Sequence, residues 1–471
     1  MSFISFTFAI FFFVFIVLYH VAARLAKNVV PAQQFLLLAA GFVFYAIADL
    51  RFLPFLVYVI AVSYVAARCS RNRLLLVLFI VADLLPLLFF KYSPRNWRGG
   101  LLFPLGLSFF TFQGISYVAD CYTKKITAER NILPVALFIG FFPVISSGPI
   151  QRAGKLIPQL KMPRCFDYAD ATDGMKLFAW GMLKKLCVAD SLAVYVNSVY
   201  GDVAGAHGLA LLLATVLYSF QIYCDFSGYS DMATGLARYM GFDAGRNFDH
   251  PYLAQSVGDF WRRWHISLSS WLRDYVYIPL GGSRVALPRI YLNLVVTFLV
   301  SGIWHGAGWH FVIWGLLHGL CLCVERMLKP WAQKLKIVPA VRIAVTFCLV
   351  SFAWVFFRAG SAGEALAVLR KLGEIPRELL QLKQDARGIF LLSSCGGFAG
   401  FLKVLFPLAV LLGVEIVTRN KSGLEIIKAK NTAVRWILYA ACIMALVQAL
   451  PLTFSVKDLS SYSTNFIYQN F

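Results

Sequence analysis

Charge is scarce in this sequence. Of 471 residues only 14% are Asp, Glu, Lys or Arg, against about 25% in ordinary globular chains. Apolar side chains take up the difference, at 59% of the whole, with aromatics alone at 16%. Acidic residues are the scarcest: 23 Asp and Glu stand against 44 Lys and Arg, a net charge of +21. In a soluble protein that excess would suggest a nucleic-acid partner. Here no nucleic-acid module is present, and the basic residues fall mostly between apolar runs, as the positive-inside tendency predicts. Ten cysteines are scattered without a single C-x-x-C pair; Cys321 and Cys323 are only two apart. That excludes a disulfide or metal framework and leaves them as small apolar fillers with reduced thiols. There is no H-E-x-x-H, no Walker A loop, no G-x-S-x-G elbow and no G-x-G-x-x-G after a strand. No internal repeat of the kind many transporters carry is visible.

What is present is a series of ten apolar stretches: 3–19, 34–47, 52–67, 74–90, 209–223, 291–304, 311–324, 340–357, 402–417 and 433–450. A spanning helix needs about 20 predominantly apolar residues, so several of these are expected to be tilted, broken or re-entrant. The expectation is an all-α polytopic membrane protein with about 10–12 crossings and no separate soluble domain. Arg24 and Lys27 follow the first stretch without a small-residue cleavage site, which reads as a retained helix. Basic clusters at 24–27, 68–73, 262–289, 326–336 and 419–430 mark cytoplasmic ends and place both termini outside. Lys91 to Arg98 and the basic 358–387 loop fit that scheme poorly. Between the stretches, "KYSPRNWRGGLLFPLGLSFF" and "FFPVISSGPIQRAGKLIPQL" are dense in Pro, Gly and Ser. Irregular backbone at membrane depth survives only where protein or a wet cavity surrounds it. A chain that encloses a tunnel or funnel is therefore expected.

Ionisable groups inside a membrane are costly and mark function by default. The densest set is "SGIWHGAGWHFVIWGLLHG", with His305, His310 and His318. No carboxylate lies among them, so a zinc site lacks both ligand spacing and supporting partners. His305 reads either as a hydrogen-bonded core residue or as a general base, since burial favours the neutral imidazole. Gly302 and Gly306 flank it and permit close approach. A second segment, "GDFWRRWHISLSSWLRDYVYIPLGG", interleaves Trp261, Trp264 and Trp271 with Arg262, Arg263, His265 and Arg273. It reads as an interfacial amphipathic helix whose arginines could also bind phosphates bidentately. His265 precedes His305 by 40 residues. Upstream, Asp225, Asp231 and Arg238 read first as a structural polar network and only second as catalytic groups.

These stretches, together with "CDFSGYSDMATGLARYMGF" and "NFDHPYLAQSVGDFWRRWHISLSSWLRDYVYIPLGG", resemble the membrane-bound O-acyltransferase superfamily (MBOAT). Within it they are most similar to the bacterial alginate O-acetyltransferase membrane-subunit branch. The likeness runs in order over roughly 100–330 and defines the core motifs of one integral membrane domain, 1–471. It implies a ring of helices around a funnel, with His305 as the catalytic residue and His265 completing the site. His318, Asp225 and Asp231 would support it. It further implies acyl-CoA, here acetyl-CoA, as donor from the cytoplasm, its phosphates near Arg262, Arg263 or Arg273. No bound cofactor or metal is implied. The acyl group would leave on the far side of a bacterial inner membrane. There an extracytoplasmic partner transferase of the SGNH type would place it on a polysaccharide: alginate, another exopolysaccharide or peptidoglycan. Direct transfer to the glycan is the alternative within the family, and a transporter or channel the distant one outside it.

The last apolar stretch is followed by a tail, 451–471. It ends "STNFIYQNF", which resembles a C-terminal F-x-Y-x-x-F motif of the same branch and would make Tyr468 a transient acyl carrier. An aromatic anchor at the interface is the plainer reading. Reach permits the first: the 21 residues after Leu450 extend to at most about 69 Å, against half of a ~30 Å hydrocarbon core.

Overall fold

The computed structural model describes residues 2–26, 28–94, 97, 102–335 and 337–453. Among these the chain is helical, with no strand. Nine helices among the described residues are long and apolar enough to cross a membrane. One of the nine, Val29–Cys69, spans 41 residues and consists of helices Val29–Asp49 and Leu53–Cys69 joined by a 3₁₀ turn, Leu50–Phe52. Counted apart, each of the ten apolar stretches falls on its own helix. The protein is an all-α polytopic membrane protein. Phe6, Leu25, Phe406, Trp436 and Ile437 are largely exposed on these helices, as side chains solvated by hydrocarbon should be.

Helix ends follow local chemistry. Ser5 and Asn72 accept from the amides of Phe8 and Leu75 and start Phe6–Leu25 and Arg73–Tyr92. Pro sits in the first turn of Leu53–Cys69, Leu287–His305 and Pro339–Arg358, where its missing N–H costs nothing.

The described chain divides into two compact units. The first holds the residues up to Gly181 together with Tyr229–Asn247. Its four membrane-length helices, Phe6–Leu25, Val29–Asp49, Leu53–Cys69 and Arg73–Tyr92, precede Leu107–Tyr122, most of whose side chains are buried. The Pro- and Gly-rich "FFPVISSGPIQ" forms buried irregular turns at 141–151 between the short helices Ile132–Ile139 and Ala153–Leu160. Backbone without regular hydrogen bonding is thus kept inside the protein, as expected. Arg238 pairs in this unit with Asp173 at 2.8 Å and Asp170 at 3.3 Å.

The second unit holds Met182–Gly228 and, from Phe248, the described remainder. Its centre is the antiparallel pair Leu287–His305 and Trp309–Lys334, with Pro339–Arg358 beside the latter. Glycines let the pair close up: a methyl on Gly302 would lie 2.3 Å from the Phe311 carbonyl oxygen, and one on Gly315 2.3 Å from that of Phe298.

Candidate active site

His305 is the last residue of Leu287–His305, and Gly306 caps the helix in extended backbone. The ring is 3% exposed. Trp314 and Phe357 stand edge-on to it at centroid distances of 4.9 and 5.0 Å, and Trp304 lies at 4.6 Å. The cage is a consequence of the glycine-spaced helix pair, which brings Trp314 one turn past Phe311 against the end of the partner helix. Such a site excludes water, so a neutral imidazole there is suited to accept a proton.

His318 lies on the same face, one turn beyond Trp314, with ring centroids 5.0 Å apart. Its Nδ1 accepts from Trp261 Nε1–H at 3.2 Å. Indole only donates, so the ring proton of His318 resides on Nε2. His310 makes a 3.0 Å hydrogen bond between Nδ1 and the Phe356 carbonyl.

His265 reaches the same aromatic cluster from another part of the sequence. Trp264, its chain neighbour, packs on Trp354 at 5.1 Å, and Trp354 stacks on Trp314 at 5.8 Å. The expected single amphipathic helix is broken here. Val257–Arg263 ends at Trp264, and His265 adopts φ 42° and ψ 55° before Ile266–Leu272 begins. Left-handed backbone costs a non-glycine residue about 1–2 kcal/mol. The break turns Trp261, Trp264, Leu268 and Trp271 into the protein, where all are buried, rather than into the lipid interface. The apolar driving force is the same; tertiary packing supplies a better sink than the headgroup region. The His265 ring meets Phe226 edge-on at 4.6 Å, and Ser267 Oγ lies 3.5 Å from Nδ1. Burial pushes its pKa down to about 3. At neutral pH it is an uncharged imidazole, fitted to orient a carbonyl or stabilise an oxyanion and not to carry a proton.

The three arginines of this segment are engaged with carboxylates near them. Arg262 and Arg263 pair with Asp259 at 3.6 and 3.1 Å, and Arg273 with Asp274 at 2.8 Å. Arg262 and Arg273 keep 75% and 63% of their side chains exposed, so these pairs are weak and exchangeable. Asp225 is buried and bonded to Lys185. Asp231 is half-buried six residues further along the same helix, Gly208–Tyr239. Tyr468 lies outside the described residues. No group of three or more His, Cys, Asp or Glu among the described residues could hold a metal. A cleft of about 760 Å³ lies elsewhere, in the first unit, lined by Thr127, Glu129, Arg130, Asn131 and Lys161 among others. It contains none of the residues expected from the sequence, and the enclosed, aromatic surroundings of His305 are the better chemical candidate.

The membrane-bound O-acyltransferase family (MBOAT) matches residues 129–360, which carry His265, His305, His310 and His318. The peptidoglycan O-acetyltransferase of Helicobacter pylori is 35% identical over 399 residues, 75% of this chain and 76% of that protein. The probable alginate O-acetylase AlgI of Pseudomonas putida is 34% identical over 467 residues, 92% and 94% of the two chains. The chain belongs to the membrane-bound O-acyltransferase family. The probable alginate O-acetylase AlgI of Azotobacter vinelandii is likewise similar, 39% identical over 351 residues, 69% and 70% of the two. The protein is therefore a multi-pass membrane acyltransferase.

Two features of this acyltransferase escaped the sequence reading. One is the aromatic set Trp314, Trp354 and Phe357, which no local pattern distinguishes from ordinary membrane aromatics. The other is Lys184 and Lys185, each 4% exposed, at the start of a π-helical segment, Lys184–Ala189. A signal was present: two consecutive cations stand in the largely apolar "GMLKKLCVAD", and π-segments concentrate at functional sites.

Proposed function

We propose that this protein takes an acetyl group from cytoplasmic acetyl-CoA and passes it across a bacterial inner membrane for O-acetylation of an extracytoplasmic polysaccharide, alginate or a similar exopolysaccharide, or peptidoglycan. The observation that carries the reading is the buried, aromatic-walled His305 at a helix terminus, in a chain related along most of its length to proteins named for O-acetylation of those two polymers. Donor phosphates would exchange the surface carboxylate partners of Arg262, Arg263 and Arg273 for bidentate contacts. The thioester would then lie between His305 and His265. Tyr468 Oη attacks the acetyl carbon as His305 takes the phenolic proton; the C–S bond breaks, and the proton passes to the departing thiolate. His265 stabilises the oxyanion. The tyrosyl ester keeps a good leaving group, because a phenol of pKa ~10 departs far more readily than a sugar alkoxide. A partner transferase of the SGNH type would then move the acetyl group to the glycan.

Peptide mass spectrometry of the purified protein after incubation with acetyl-CoA, beside His305→Ala, tests this. An acetyl mass on the Tyr468 peptide, absent from the variant, is the expected result. CoA release with an unmodified tail would overturn the carrier step and leave direct transfer. Unimpaired acetylation by His305→Ala would overturn the role of His305.

A further inference from the structure

Lys184 and Lys185 reach the helix Gly208–Tyr239 at two positions that bracket one ring. Lys184 Nζ donates to Ser227 Oγ at 2.9 Å, and Lys185 Nζ to Asp225 Oδ1 at 2.6 Å. Between them lies Phe226, fully buried, whose ring stands at 89° to that of His265 with 4.6 Å between centroids. Successive residues of an α-helix project about 100° apart. Contacts to 225 and 227 therefore grip the helix on both sides of the Phe226 side chain and oppose its rotation about the helix axis.

The two lysines are themselves anchored. Lys185 bonds Asp190 Oδ1 at 2.8 Å across the π-segment, whose widened register is marked by the amide of Asp190 donating to the Lys185 carbonyl. Lys184 lies 5.7 Å from the centroid of the Tyr223 ring, and the Tyr223 hydroxyl donates to Glu415 Oε1 at 2.8 Å. Two buried cations thus meet carboxylates directly or through one aromatic ring, which is the condition for keeping charge at such depth. A single lysine would have sufficed to neutralise Asp225. Two consecutive lysines, placed to straddle one phenylalanine, do something more specific. His265 needs such a hold, since its left-handed backbone is a conformation that surrounding contacts must impose.

We propose that Lys184 and Lys185 are positioning residues, a two-point clamp that fixes Phe226 against the His265 ring and so sets its alignment for acyl transfer. The proposal deepens the reading under which His265 acts on the bound thioester and rests on it. The π-segment is the device that lets two neighbouring side chains reach one helix.

The test uses the full-length protein with Lys184→Met, the milder Ser227→Ala, Phe226→Leu, and the double variant Lys184→Met with Phe226→Leu. Two quantities are read: the ring ¹⁵N and ¹H signals of His265 in histidine-labelled protein, and kcat and KM for CoA release from acetyl-CoA, both per folded molecule. The His265 signals are expected to shift in both single clamp variants, through changed ring current from Phe226. kcat is expected to fall roughly 10- to 100-fold in Lys184→Met, as for a reacting group displaced by up to an ångström, with KM unchanged. The double variant is expected to be no slower than Phe226→Leu alone. Unmoved His265 signals in Lys184→Met and Ser227→Ala overturn the clamp whatever the activity does. Multiplicative losses in the double variant overturn it too, since the lysine would then act by a separate route. Should Lys184→Met not fold, Ser227→Ala decides alone. His265→Asn, run in parallel, isolates the underlying reading: full activity there overturns the role of His265, while the His265 ring signals of Lys184→Met and Ser227→Ala still judge the clamp.

Discussion

Gly315→Ala tests how closely catalysis depends on the helix pair that carries His305. The added methyl would stand 2.3 Å from the Phe298 carbonyl oxygen and 3.2 Å from the Gly302 Cα. A relaxed carbon–oxygen contact is about 3.3 Å, so the two backbones must part by about 1.0 Å. Neither partner is a side chain that can swing away. Phe298 and His305 are seven residues apart on one helix, about 10 Å. Over so short a distance the displacement reaches His305 almost undiminished, and Trp314, adjacent to the substituted residue, moves the other way. Overpacking of this kind costs about 1–3 kcal/mol in stability, which leaves most of the protein folded. A reacting group misplaced by about 1 Å costs on the order of 100-fold in rate. The assay is CoA release per folded molecule in detergent, with folded protein measured by size-exclusion chromatography. Gly413→Ala is the control, because nothing lies within 4 Å of a methyl there. Wild-type turnover by Gly315→Ala would refute the reasoning, and so would equal losses in the two variants.

Other expectations follow from the same geometry. Glu378 accepts from the amides of Gly208 and Leu209, both at 2.8 Å, at the start of the long helix; Glu378→Ala leaves two donors orphaned and should cost about 1–3 kcal/mol, read as a fall in Tm that Glu378→Gln partly restores. His265 is pushed down to about 3 by burial, against ~6.5 when unfolded. The unfolded state therefore binds the extra proton first, so stability is unaffected above pH ~6.5 and declines toward pH 3, at no more than about 1.4 kcal/mol per pH unit. Tm against pH for wild type and His265→Asn should diverge only in that acidic window; parallel curves would refute the assignment. Trp261→Phe removes the N–H that His318 Nδ1 accepts; the ¹⁵N spectrum should show His318 losing its fixed tautomer, with activity reduced less than by His305→Ala.

Much of the architecture was legible in order along the chain. Ten apolar runs became ten helices because each run satisfies its own backbone hydrogen bonds within a bilayer, a requirement that needs no knowledge of neighbours. The buried irregular turns at 141–151 were legible from proline and glycine density for the same reason. His305 could be singled out because an imidazole between flanking glycines in an apolar run has few structural excuses. The break at His265 was not legible: "FWRRWHISLSSW" satisfies a continuous amphipathic helix, and only the presence of a protein interior for Trp261 and Trp264 favours the kinked path. Lys184 and Lys185 passed unnoticed in the sequence, and their partners lie about 40 residues away in "CDFSG". Which residues would meet them depends on helix rotation, and local propensity carries no information about that.

Each segment's residues set what that segment tolerates: which stretches must be helical in lipid, which charges must find partners, and where glycine allows close approach. These are properties of single segments against their solvent. Tertiary structure alone decided which segments meet. The His305 cage, the Trp264–Trp354–Trp314 path to His265 and the lysine pair astride Phe226 each depend on helices distant in sequence. Their meeting is set by side-chain packing between whole helices, where a rotation of one residue replaces every contact.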